Sequence, residues 1–237
     1  MKTFTKEKKD ALLAEIEKHR LADQIIQGTY SNDKIGKKWK GCAVGCSIHS
    51  LNVLEGKKYK TSDYHVYEQD LGIPKSLAYL EDSIFEGLDD ELAKLWPGRF
   101  IAAVSPEVDL SLVLPKFYIR ILTDPKKGTR RLCEPQGVTV TDIVVGLYED
   151  VVDGKEVTTD QWKLAASDYA SASDYASASA YVAAYASTSA YASDSASAYA
   201  AASASYAYSD SAAEKHYSWM ADVLIEILED TNLTTKV

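Results

Sequence analysis

The chain has 237 residues, a formal net charge of -9 and three cysteines, Cys42, Cys46 and Cys133. The acidity argues against nucleic acid and anionic membranes as partners, and three cysteines are too few for a disulfide scaffold. No stretch reaches the roughly 18 apolar residues of a membrane span, and the start lacks a secretion signal, so the expected setting is a reducing cytoplasm.

In chain order, Thr3 and Thr5 offer caps for a first helix over about 6–27, with Leu12, Leu13, Ile16, Ala22, Ile25 and Ile26 at helical spacing and Gly28 as its stop. Residues 29–40 form a basic loop. Residues 41–54, GCAVGCSIHSLNVL, suit a helix or a strand, and GKKYK at 56–60 is a turn or loop. Ser62 is placed to cap a short helix ending at Gly72. Pro74 is placed to open another, buried through Leu77, Leu80, Ile84 and Phe85. A helix over 89–95 is expected to stop at Pro97. Ser105-Pro106 is a cap followed by a first-turn proline, and Pro115 breaks or restarts that element. Residues 125–138 are irregular. Thr141 is placed to cap a helix through Val152 that ends at Gly154, and a second strand is an alternative around 137–145.

Residues 164–213 are of another kind. They comprise 21 Ala, 14 Ser, 8 Tyr and 4 Asp, plus Leu164, Val182 and Thr188. The alternation of Ser or Tyr with Ala or Asp has a strand-like period of two. Against a β-solenoid stands the lack of Gly and Pro after residue 154, since turns recruit those residues. Ala also favours helix strongly. Thr158 and Gln161 are spaced as a capping box, and Trp219, Met220, Val223, Leu224, Ile227 and Leu228 form one apolar stripe. The expected architecture is therefore mainly α: a helical domain over 1–157, a helical repeat over 158–213 and an amphipathic helix over 214–237. A β-solenoid repeat is the alternative. On a continuous helix, Tyr169, Tyr181, Tyr185, Tyr191, Tyr199 and Tyr206 fall within one half of the circumference. They are the candidate self-association surface of a homo-oligomer.

Two clusters are candidate sites. Cys42, Cys46 and His49 fall within about 60° on a helix and have the ligand chemistry of zinc, with Cys133 or His65 as a fourth ligand. The competing reading makes the cysteines small buried apolar groups. A nucleophilic Cys42 beside His49 or His65 is a further option, without a recognisable cysteine signature. Lys34, Lys37, Lys38 and Lys40 surround Trp39, with Tyr30 nearby, a pattern that suits a phosphate-bearing, nucleotide-like ligand. A solvated loop is the competing reading, and the phosphate-loop pattern GxxxxGK[ST] is absent. The acids Glu86, Asp89, Asp90 and Glu91 read as a solvated face.

The segments GCAVGCSIHS (41–50), LGIPKSLAYLEDSIFEGL (71–88), the Ala-rich tract and YSWMADVLIEIL (217–228) together resemble an uncharacterised group of phage and prophage proteins. In that group a similar N-terminal region precedes an Ala-rich tract punctuated by Tyr, Trp, Asp or Arg, then a short amphipathic helix. The resemblance covers most of the chain, although this tract uses Ser and Tyr where others are richer in Ala or Trp. It implies a non-enzymatic accessory protein in the host cytoplasm that blocks or sequesters a host factor. It assigns no catalytic residue and no cofactor. The rival expectation is a small-molecule or metal-binding protein or enzyme built on the Cys/His/Lys segment.

Overall fold

The computed structural model describes residues 4–29, 38–133, 135–172 and 210–234. These are mainly helical, and among them the β pairing is an isolated bridge between Ile25 and Gly41. Two compact units divide the chain: Met1–Leu110 with Leu228–Val237, and Ser111–Ile227.

In the first unit, helix α1 (Lys6–Leu21) starts where the Thr5 hydroxyl accepts from the Lys8 amide. It ends at Leu21 rather than near 27. Asp23 turns left-handed there (φ 52°), and the next residues pair with Gly41. Helix α2 (Ala43–Glu55) makes residues 43–54 helix rather than strand, with Cys42 as its extended N-cap, and Gly56 closes it at φ 65°. The short helix expected before Gly72 is a single π turn, Tyr67–Leu71. Its Asp70 meets Lys57 Nζ at 2.5 Å and Lys8 Nζ at 3.8 Å, tying the turn to the end of α2 and to α1.

Helix α3 (Lys75–Gly87) buries Leu77, Leu80, Ile84 and Phe85 as the spacing requires; Pro74 sits one place earlier than expected, as its N-cap. Helix α4 (Asp90–Ala103) is capped by Asp89 and does not stop at Pro97. An internal proline forfeits one backbone hydrogen bond and costs about 3 kcal/mol. Burial of Trp96, Phe100 and Ile101 offsets this, each worth about 1.5–3 kcal/mol. The Trp96 indole also donates to the Glu81 carbonyl at 2.9 Å. Helix α1 packs on α2 and α4, and α2 and α3 pack on each other and on α4.

In the second unit, helix α5 (Val113–Thr123) carries Pro115 in its first turn, where no amide is needed. A 3-10 turn (Thr129–Leu132) follows. The turn before it depends on Gly128, where a Cβ would stand 2.5 Å from the Asp124 amide and carbonyl. Helix α6 (Pro135–Val152) starts six residues before Thr141 and excludes a strand over 137–145. Thr141 is not its cap: it is buried, and its hydroxyl donates back to the Gly137 carbonyl at 2.7 Å. Gly154 follows at φ 75°.

Helix α7 (Thr159–Ala172) opens on the expected capping box. The Thr158 amide donates to Gln161 Oε1 at 2.8 Å, and the Gln161 amide donates to Thr158 Oγ1 at 3.3 Å. Tyr118 stacks on Tyr148 at 5.3 Å, and Trp162 tilts against Tyr148 at 4.9 Å, so the three rings join α5, α6 and α7. Helix α8 (Asp210–Thr234) buries Trp219, Met220, Val223, Leu224 and Leu228. The described parts of the Ala/Ser/Tyr tract, 164–172 and 210–213, are helical, against the solenoid alternative. The long-helix reading of 173–209 lies outside the described residues. So do Tyr181, Tyr185, Tyr191, Tyr199 and Tyr206, while Tyr169 falls on α7.

Candidate functional site

The described residues on either side of the basic segment are held by hydrogen bonds. The Ile26 amide donates to the Gly41 carbonyl at 2.9 Å, and the Gly41 amide to the Gln24 carbonyl at 3.0 Å. The Cys42 amide then reaches the Thr29 carbonyl at 2.8 Å. Gln27 fixes the outgoing foot to the end of α3 by donating to the carbonyls of Phe85 (2.7 Å) and Leu88 (2.8 Å). The Gly28 amide donates to Glu86 Oε2 at 2.8 Å. Glu86 therefore holds the loop and is not part of a merely solvated acidic face.

Three rings sit at the base of this loop. The Trp39 indole lies parallel to the His49 imidazole, 4.5 Å away at 4°. The His19 ring tilts against both at 5.1 Å. Gln24 Oε1 lies 2.8 Å from His19 Nδ1. His19 Nε2 and Trp39 Nε1 are both sealed from solvent, with no hydrogen-bond partner among the described residues. Trp39 is 9% exposed. It anchors the loop rather than offering an open platform for a base.

Lys38 is exposed, and Lys40 lies 3.8 Å from Asp23. Lys34 and Lys37 lie outside the described residues. Lys38 and Lys40 thus flank Trp39, whose ring is seated in the buried aromatic cluster.

The Cys42–Cys46–His49 trio parts company on α2. His49 faces the rings, whereas both thiols are buried against the carboxyls of α3. Burial, reinforced by Asp82, pushes the Cys42 thiol far above the ordinary range; burial and Glu81 do the same to Cys46. Such thiols stay protonated and are poor nucleophiles or ligands. His65 is exposed and lies near Lys75 and Glu68. Cys133 lies in the second unit, beside Thr129 and Thr141. Among the described residues no group of three or more His, Cys, Asp or Glu side chains is placed to hold a metal ion.

What the sequence reading missed is the acid pair inside the first unit. Glu81 is wholly buried and Asp82 nearly so. Burial raises the Glu81 carboxyl well above its usual range, opposed by the Tyr67 hydroxyl. Burial also raises Asp82, opposed by the Tyr64 hydroxyl, which donates to Oδ2 at 2.6 Å. The signal was present. Glu81 follows Leu77 by four residues and precedes Phe85 by four, so it lies on the apolar face of α3.

No known protein family, no curated protein and no solved structure matches this chain.

Proposed function

We propose that the chain is a non-enzymatic, phage-type accessory protein that acts by binding, and that its Ala/Ser/Tyr tract mediates self-association or capture of a host partner. The observation that carries this reading is the way both ends of the tract are seated. Helix α7 enters it from a base where Trp162 and Ala165 are buried. Helix α8 leaves it beside buried His216, Tyr217, Trp219 and Met220. Lys127 lies 5.8 Å from the Trp219 ring, so the start of α8 is held against the turn after α5. The described residues on both flanks of the tract are therefore packed in the second unit.

The test is a chain with Tyr169, Tyr181, Tyr185, Tyr191, Tyr199 and Tyr206 all replaced by Ser, compared with the parent by size-exclusion chromatography with light scattering. The reading expects the parent to associate and the substituted chain to run as a monomer with unchanged helix content. Equal mass for both would remove the tyrosines from the account.

A second reading, a small-molecule or nucleotide-like ligand at the basic loop, draws support from the unpartnered Trp39 Nε1 and His19 Nε2 behind Lys38 and Lys40. Titration with adenosine triphosphate, followed by Trp fluorescence, tests it. Saturable quenching lost on Lys38→Ala/Lys40→Ala supports the reading, and no saturable change contradicts it.

A further inference from the structure

On the first unit, His65 stands between an amine and a carboxylate. Its Nε2 lies 3.2 Å from Lys75 Nζ, and its Nδ1 lies 3.6 Å from Glu68 Oε2. The order is carboxylate, imidazole, amine. An orienting acid, a base and a nucleophile in that sequence are the geometric signature of an activated nucleophile. The side chains of His65 and Glu68 are 58% and 49% exposed, and Lys75 is half-buried. Ion pairs this exposed contribute about 0–1 kcal/mol to stability, so stability does not account for the array.

Each member is placed by its backbone. Glu68 lies on the π turn and His65 three residues before it, a spacing that sets the two side chains on one face. The His65 amide donates to Asp63 Oδ1 at 3.2 Å. Lys75 is the first residue of α3, directly after Pro74. Its Nζ lies 5.7 Å from the centre of the Tyr79 ring, one helical turn on. Tyr79 stacks on Tyr64 at 3.9 Å, and the Tyr64 hydroxyl donates to buried Asp82 at 2.6 Å. The amine is therefore seated on a pair of rings anchored in the core. It also stands at the start of a helix, where the dipole disfavours a positive charge.

We infer that Lys75 is a self-acylation site that reacts with acyl thioesters, with His65 as its base and Glu68 as the residue that positions His65. In this role Nε2 accepts from the Lys75 ammonium, and Nδ1–H faces the Glu68 carboxylate. One proton of the ammonium passes to Nε2 and on to solvent. The amine attacks the thioester carbonyl, the C–N bond forms and the C–S bond breaks. The thiolate leaves and takes a second proton from the nitrogen, giving a thiol. The product is an amide at Nζ, which removes the positive charge. A thioester suits the array because a thiolate leaves readily, so the main need is a base at the amine. The site is independent of the tract and of the basic loop, so it stands or falls apart from the function proposed above.

The test treats the full chain with S-acetyl-N-acetylcysteamine and follows acetylation at each lysine by peptide mass spectrometry. Lys58 and Lys60, both exposed, are the internal reference, and every Lys75 rate is read as its ratio to theirs in the same sample. Lys75 should acetylate at least about tenfold faster than either. His65→Gln keeps a hydrogen-bond acceptor beside Lys75 but removes the base. It should bring Lys75 to within about twofold of the reference lysines. Glu68→Gln leaves the base in place but loosens its orientation, and should slow Lys75 about threefold. A parent chain in which Lys75 reacts no faster than Lys58 and Lys60 would overturn the inference. So would a Lys75 ratio that His65→Gln leaves unchanged.

Discussion

Replacing Glu81 by Gln should stabilise the first unit at neutral pH, and the gain should grow with pH. Glu81 is 0% exposed, and burial holds its carboxyl in the protonated form well above the usual carboxylate range. In the unfolded chain it ionises near its ordinary value of about 4.3. Between that value and the raised folded value the unfolded state loses a proton that the folded state keeps. Folding stability is therefore full below the unfolded value and falls as pH rises, by up to about 1.4 kcal/mol per pH unit from this residue. A neutral Gln of the same shape has no such slope. Urea unfolding of parent and Glu81→Gln at pH 5, 6, 7 and 8 reads the residue together with its coupling to the neighbouring Asp82. The difference in unfolding free energy should widen steadily across the series. A difference that stays constant from pH 5 to 8 would refute the argument, and so would a variant less stable than its parent at pH 8.

Burial, with Arg131 and Lys127 nearby, pulls His216 down to about 4. Its share of stability is complete above about 6.5 and lost toward pH 4, at most about 3 kcal/mol; His216→Gln should flatten the acid limb of unfolding in the second unit. Gly128→Ala would press a Cβ to 2.5 Å from the Asp124 backbone and 2.7 Å from the Leu122 carbonyl. It should cost about 2 kcal/mol or more, read by thermal unfolding; an unchanged midpoint would show that the turn relaxes freely. In the native protein at pH 8, dithionitrobenzoate should modify half-buried Cys133 first and reach buried Cys42 and Cys46 only on unfolding. Rapid release of three equivalents would contradict the placement of those thiols.

Much of the helical frame was legible because it rests on local chemistry. The stripe Leu77, Leu80, Ile84 and Phe85, the Thr158–Gln161 capping box and the stop at Gly154 depend on neighbours in sequence, and each appears where expected. The failures have a common cause in long-range packing. Pro97 does not end α4, because Trp96 and Phe100 are worth more buried than one backbone hydrogen bond. Thr141 looks like a cap but lies inside α6, satisfying its hydroxyl on Gly137. The candidate site shows the same division. The pairing of Trp39 with His49 joins residues ten apart through a loop whose feet are fixed by Gln27 and Gly41, and no periodicity encodes that. The burial of Glu81 was readable from its register on α3, but acids are ordinarily assigned to the solvent face.

The central claim is that this protein works by binding through its Ala/Ser/Tyr tract, and sedimentation velocity of the intact chain over a hundredfold range of concentration tests it most directly. The account predicts a concentration-dependent shift from monomer to a defined oligomer, abolished when the tract's tyrosines are replaced by Ser. A single monomeric boundary at every concentration would contradict self-association and leave capture of a host partner as the surviving form of the claim.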